Sequence, residues 1–377
     1  MALRKDGKAL NKKQKITYFL GAGASFGSVP IWQAQSTSMI EVAVRILHSL
    51  KDEERYLTRD GREEDRPKNK MLHDIFSNLK DHGKLAKQYG SIDIYAKRLY
   101  LLGLKEELNN LKFYLSVYFD LWENMLAGER VEHKFNEKSK VLFEKIDKRY
   151  YSLFSILLEK GDSYPKLNEN VSFISWNYDL QLERAYESFL KEETTSLVAL
   201  NYHFPFMEND NMESNKIIHL NGFRGMFQVN GFRGMFQGTI EPYETVDRKY
   251  TTDRATYLNA LFNTYSDFNK GRVAEMNYHN TIRYAWETTS AKLNAAKSKM
   301  RETNVLVIVG YSFPAFNREI DQTLINEFLA GDGNKKVVYQ DPNPNEDLIN
   351  LLFKNFKNLT FEKLNKKQFH IPHEFLF

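Results

Sequence analysis

The sequence predicts an α/β fold: an open, mainly parallel sheet whose carboxyl-end loops gather around one crevice, interrupted by large helical insertions. Three observations carry that prediction. Short runs of β-branched and aromatic residues recur at 16–20, 171–175, 217–220, 304–309 and 336–340, and each ends in a glycine or polar turn. Helical spacing of apolar residues follows several of those turns, the alternation that builds parallel sheets. From residue 71 to 160 almost everything has helical spacing without strand-period alternation, so this stretch reads as an insertion.

Taken in order, residues 1–15 are a basic arm carrying Arg4, Lys5, Lys8, Lys12, Lys13 and Lys15, either a solvated tail or a contact for a partner or nucleic acid. Residues 16–377 then read as one domain. Ile16 to Leu20 is a buried strand, and Gly21, Ala22, Gly23, Ala24 and Ser25 supply only small side chains after it. A helix beginning near Ser25 would aim its free N–H groups at whatever sits over Gly21 and Gly23, with a phosphate as the natural guest. The spacing Gly21-x-Gly23-x-x-x-Gly27 misses the dinucleotide fingerprint by one residue, and a plain strand-to-helix turn is the competing reading. Gln33 to Leu50 is helical by its Met39, Ile40, Val44 and Leu47 spacing, and 51–70 is a charged excursion with Gly61 and Pro67. The first helical insertion spans about 51–165. A second loop and helical insertion spans about 223–300, with Ala255 to Lys299 read as helical. The last clear helix is Asn317 to Leu329. The nonapeptide 221–229 is followed at once by a near-copy at 230–238, too few repeats for a solenoid, and either a recent duplication or an artefact extending a loop.

Composition bounds the chemistry. Of 377 residues, 42% are hydrophobic, ample for a core, and there is no cysteine, which removes disulfides, thiolate nucleophiles and cysteine-based zinc sites. The nine histidines form no His-x-x-x-His or His-Glu-x-x-His pair, so no metal is expected. A net charge of +4, from 53 basic and 49 acidic residues, is too balanced for a nucleic-acid footprint. No signal peptide or spanning apolar run is visible, so a cytoplasmic protein without a membrane contact is expected.

Gly21-Ala-Gly-Ala-Ser25, Trp176-Asn-Tyr-Asp179, His219-Leu-Asn-Gly222, and Gly310-Tyr-Ser-Phe-Pro314 with Asn317-Arg-Glu-Ile-Asp321 occur in that order. Together they resemble the SIR2-like (sirtuin-like) family, and more closely the bacterial SIR2-like NAD hydrolases of anti-phage defence. The resemblance covers residues 15 to about 345, minus the two insertions, and implies a Rossmann-like sheet. It also implies NAD as substrate, with Gly21, Ala22, Gly23 and Ser25 at the phosphates and ribose. Asn177 and Asp179 would then stand by the nicotinamide ribose, with Gly310, Tyr311, Ser312, Gln340 and Asp341 on the adenosine side. Trp176, Asn221, Asn317 and Asp321, in the same motifs, join the binding candidates. The implied partner is a defence-system protein, an ATPase, an Argonaute-like or a nucleotide-processing subunit, in a homo- or hetero-oligomer.

Two departures from the family pattern matter. The zinc ribbon of sirtuin deacetylases cannot form without cysteine. The catalytic histidine, which in the family stands before a glycine, is replaced by Asn221, with His219 two positions earlier. Strand alternation would keep residues 219 and 221 on one face, so His219 serves from one step down, or the site is impaired, or it relies on Asn177 and Asp179. The expected function is an NAD glycohydrolase releasing nicotinamide and ADP-ribose, with a nucleotide-sensing subunit as the alternative. In the first case Asp179 fixes the ribose hydroxyls or supplies charge, Asn177 orients the attacking water and His219 accepts a proton. Plainer roles compete: Asn177 or Asp179 as a helix N-cap, His219 in the core, Ser312 in an ordinary turn, and Asn317 and Asp321 as caps.

Overall fold

The computed structural model describes residues 14–57, 66–123, 132–136, 139–142, 146–191, 197–208, 211–229, 258, 261–262, 277–342, 346–353, 359–364 and 367–375. Six strands form one sheet: β1 Ile16–Leu20, β2 Val171–Ser175, β3 Ile217–His219, β4 Val305–Val309, β5 Lys335–Gln340 and β6 Leu359–Leu364. All pairings are parallel and the order is β6-β5-β4-β1-β2-β3. This is a doubly wound, Rossmann-like sheet with its topological switch point between β1 and β4. The register levels the strand tips: Leu20 lies beside Val309 and Ser175, Ser175 beside His219, and Val309 beside Gln340. Every loop that follows therefore leaves the sheet at one height.

The sequence forms this sheet because its strands can be buried on both faces. Ile-Thr-Tyr-Phe-Leu in β1 and Val-Leu-Val-Ile-Val in β4 are buried at every position. Period-two alternation divides them. Ile16, Tyr18, Leu20, Val305, Val307 and Val309 face one core with α5 Lys148–Leu157, α6 Gln181–Glu187 and α7 Leu197–His203. Phe19, Leu306 and Ile308 face the other, under α8 Ser290–Glu302 and α9 Arg318–Ala330. A third core belongs to α1 Trp32–Leu57, α2 Arg66–Gln88, α3 Ile92–Leu101 and α4 Lys105–Leu121, which bury Met39, Ile75, Phe76, Leu111 and Phe113 among themselves and also take in Tyr178 and Tyr284. The α/β class with helical insertions is the fold of the protein.

Several local readings change. The run 71–160 is not all helix: Glu132–Asn136 and Ser139–Leu142 pair as antiparallel strands, and Leu158–Glu159 pairs with Lys166–Leu167. The stretch 255–299 is not continuous helix either, since Asn277–Asn280 is a strand pairing with Met226–Val229, and α8 begins at Ser290. That pairing uses the first copy of the nonapeptide; the second copy, 230–238, lies outside the described residues, as does most of the basic arm. The sixth strand, β6, alternates Leu359, Phe361 and polar residues at the sheet edge, a short signal without a glycine turn to announce it. Among the described residues no helix is long and apolar enough to cross a membrane.

Candidate functional site at the switch point

The chain leaves β1 through a single 3-10 turn, Ala22–Ser25, and the long helix α1 begins only at Trp32. The expected helix start near Ser25 is therefore corrected: no helix dipole opens at the glycines. What the glycines allow is the approach of the turn after β4. Gly23 N–H donates to Gly310 O at 2.9 Å and Gly21 N–H to Val309 O at 3.0 Å. A Cβ on Gly23 would stand 2.7 Å from Gly310 Cα, and Gly310 itself has φ +58° and abuts the Gly23 and Ala24 backbone. Small side chains here serve the contact of two strand-end turns across the switch point.

Ser25 is the hub beside that contact. Its Oγ donates to Asp179 Oδ1 at 2.8 Å, accepts from Asn177 Nδ2 at 3.3 Å, and lies 3.2 Å from the Tyr150 hydroxyl. A hydroxyl has one proton and two lone pairs, so with the proton given to Asp179, Tyr150 is the second donor. Asn177 Oδ1 and Asp179 Oδ2 make no hydrogen bond among the described residues. Asp179 is buried, and burial together with the nearby Glu123 carboxylate pushes its pKa up to about 7. Asp179 Oδ1 also accepts from Gln181 N–H at 3.2 Å, so it supports the start of α6 as well. Asn177 gives its amide to Ser25 and caps nothing.

The turn is clamped from below. Asp147 caps α5 through Arg149 N–H at 3.0 Å, accepts from Gly27 N–H at 2.9 Å, and pairs with the Arg149 guanidinium, which reaches Gly23 O and Ala24 O at 3.2 and 3.0 Å. Tyr150, one residue on, delivers its hydroxyl to Ser25.

His219 has a different setting. Its Nε2 lies 2.6 Å from Glu183 Oε1, its Nδ1 3.4 Å from the Asn177 carbonyl, and its ring packs near Phe206 and Phe223. It is 3% exposed. The expectation that residues 219 and 221 share a strand face does not apply, because β3 ends at His219 and the chain turns through Gly222 at φ +68°. Asn221 Nδ2 donates to Trp176 O at 3.3 Å, while its Oδ1 is buried with no partner among the described residues.

The remaining candidates separate from the Ser25 hub. The Asp321 carboxyl accepts from Trp176 Nε1 at 3.1 Å and from the Tyr311 hydroxyl at 2.8 Å; Asn317 Nδ2 donates to that hydroxyl at 3.0 Å. The Trp176 and Tyr311 rings stack at 6.1 Å. Ser312 is exposed. Gln340 turns its amide to the C-terminal segment, donating to Gln368 O at 2.6 Å and accepting from His370 N–H at 3.0 Å. Asp341 follows it, half-buried. The structure thus brings Ser25, Asn177 and Asp179 together and gathers Trp176, Tyr311, Asn317 and Asp321 into a second cluster.

Residues the sequence reading passed over complete the surroundings. Glu123 Oε1 accepts from Leu180 N–H at 2.6 Å, and Arg224 bridges Glu123 and Asp120, 2.9 Å from the latter. Asp120 stands within the apolar run 111–122 and Glu123 directly after it, a mismatch that signals a buried partner. No group of three or more histidine, aspartate or glutamate side chains able to hold a metal ion occurs among the described residues. Comparison with family models and with curated proteins found no match to this chain.

Proposed function

We propose that this protein is an NAD glycohydrolase, cleaving NAD to nicotinamide and ADP-ribose, and that it works as the NAD-depleting effector of a bacterial anti-phage defence system. The observation that carries the reading is the Ser25, Asn177 and Asp179 network at the switch point, where nucleotides bind doubly wound sheets. The motif resemblance supplies the choice of nucleotide and the biological setting. Nicotinamide leaves as a neutral molecule, so the reaction asks for little acid catalysis. Water adds to the anomeric carbon, the bond to the ring nitrogen breaks with its electrons going to the ring, and one proton is released. Asn177 Oδ1 is the acceptor that orients the water, and Asp179, with its pKa near neutrality, takes the proton.

The test is purified protein incubated with NAD, alone and with defence-system partners, with nicotinamide followed by chromatography. Nicotinamide release that Asn177→Ala abolishes supports the reading; no loss of NAD under any of these conditions overturns it.

One observation favours a second reading, a nucleotide-sensing subunit. His219 is committed to Glu183, and Asn221, in the usual histidine slot, leaves Oδ1 unpartnered among the described residues. Tight binding of NAD or ADP-ribose without turnover, measured by calorimetry, would select it.

A further inference from the structure

The chain beyond β6 folds back over the sheet. Its described segment 367–375 meets β5 at Gln340 and reaches β1 at Tyr18. Gln340 grips it with both ends of its side-chain amide, donating to Gln368 O at 2.6 Å and accepting from His370 N–H at 3.0 Å. The Tyr18 hydroxyl donates to His370 O at 2.9 Å. The Gln340 carbonyl meanwhile accepts from Gly310 N–H at 2.9 Å, and Gly310 O accepts from Gly23 N–H. The segment is thus tied to the turn after β4, and through it to the glycine turn.

Phe369 stands between those anchors, buried in the core that α5 shares with the sheet. Its ring centroid lies 4.8 Å from the Arg149 guanidinium carbon and 4.9 Å from the Tyr150 ring, at 62° to it. These are the two α5 residues that hold the glycine turn. Arg149 Nη2 donates to Gly23 O and Ala24 O, and the Tyr150 hydroxyl meets Ser25 Oγ at 3.2 Å. Ser25 Oγ is the atom that Asn177 and Asp179 share. A guanidinium free to swing would trade the two carbonyls for water. Asp147 fixes its Nε edge, at 2.9 and 3.1 Å, and the Phe369 ring restrains its plane.

We propose that Phe369 is a positioning residue for the candidate site: through Arg149 and Tyr150 it sets the glycine turn, and with it the Ser25 hydroxyl that orients Asn177 and Asp179. The segment 367–375 is then a strap whose release loosens the site without removing any group that meets the substrate. Its effect on turnover rests on the hydrolase reading, whereas its effect on the turn does not.

Two readouts on the full chain test it: hydrogen exchange of the amides of residues 21–27, and NAD turnover per folded molecule. Phe369→Leu keeps an apolar side chain in the core but offers no ring to the guanidinium. Arg149→Lys keeps the charge beside Asp147 but loses the planar fork that serves a carboxylate and two carbonyls together. Each should speed exchange at 21–27 by about tenfold while α1 exchanges as before, and should lower kcat by about tenfold with KM changed less than about threefold. Phe369→Tyr, which keeps the ring, should stay near wild type in both readouts. A residue that only fills the core would lower the urea midpoint and move neither. Wild-type exchange and kcat in folded Phe369→Leu and Arg149→Lys overturn the proposal and leave the hydrolase reading standing, as does faster exchange with kcat unchanged. Wild-type protein that consumes no NAD removes the hydrolase reading; faster exchange in the two variants then keeps the strap, and unchanged exchange removes it as well.

Discussion

Two polar clusters lie behind the level strand tips, and they differ in what they leave unsaid. In the cluster of Trp176, Tyr311, Asn317 and Asp321, both carboxyl oxygens, the indole N–H, the hydroxyl and the Asn317 amide nitrogen have partners inside the cluster. In the cluster around Ser25, one oxygen of Asn177 and one of Asp179 have none among the described residues. A closed set of hydrogen bonds holds its loops in place, whereas an open set keeps capacity for a ligand. The comparison assigns stability to the first cluster and chemistry to the second, although their residues come from the same sequence motifs.

The strongest break of that comparison is chemical. Asn177→Ala and Asp179→Asn should each lower NAD cleavage by about 10²- to 10⁴-fold without loss of stability, the urea midpoint staying near wild type for Asn177→Ala and at or above it for Asp179→Asn, as measured by initial rates and equilibrium unfolding. Equal losses of stability and activity would merge the two clusters into one. Next in size, Asp321→Ala leaves the Trp176 N–H and the Tyr311 hydroxyl buried without an acceptor. It should cost about 3 kcal/mol of unfolding free energy, with turnover per folded molecule nearly unchanged.

Protonation sharpens the contrast further. The folded pKa of Asp179 stands at about 7, above its ordinary value of 3.8, so the native state binds the extra proton between those limits. Its contribution to stability is complete below about pH 4 and is lost as pH rises through about 7. Asp179→Asn, which has no such proton to lose, should gain melting temperature relative to wild type from pH 5 to pH 8. Turnover should rise over the same interval as the carboxylate appears, with an acid limb near 7 in the rate profile. The smallest effect is Tyr150→Phe, which removes one donor from Ser25 and should cost about 1 kcal/mol, read from the urea midpoint.

The fold was legible because parallel strands buried on both faces are written as unbroken apolar runs, and five of the six were read within a residue or so. The edge strand β6 is half polar and escaped. Within the site, the company of Ser25, Asn177 and Asp179 followed from their positions at strand ends. The direction each side chain takes did not. Trp176 and Asn177 are neighbours in sequence, yet one indole joins the closed cluster and the other residue's amide joins the open one. The Gly23 to Gly310 contact lies between residues 287 positions apart, and no local pattern in either turn announces it.

The Arg224 bridge has an engineering consequence. Its guanidinium belongs to the loop after β3, whereas both its counter-ions, Asp120 and Glu123, belong to the end of the insertion, and all three are buried. Excising residues 66–123 to obtain a minimal core would strand a cation in a dry interior, a defect of about 3 to 5 kcal/mol. The insertion is thus wired into the keel of the molecule, and grafted chimaeras that exchange it for another protein's helices must carry a matching pair of acids or lose the scaffold.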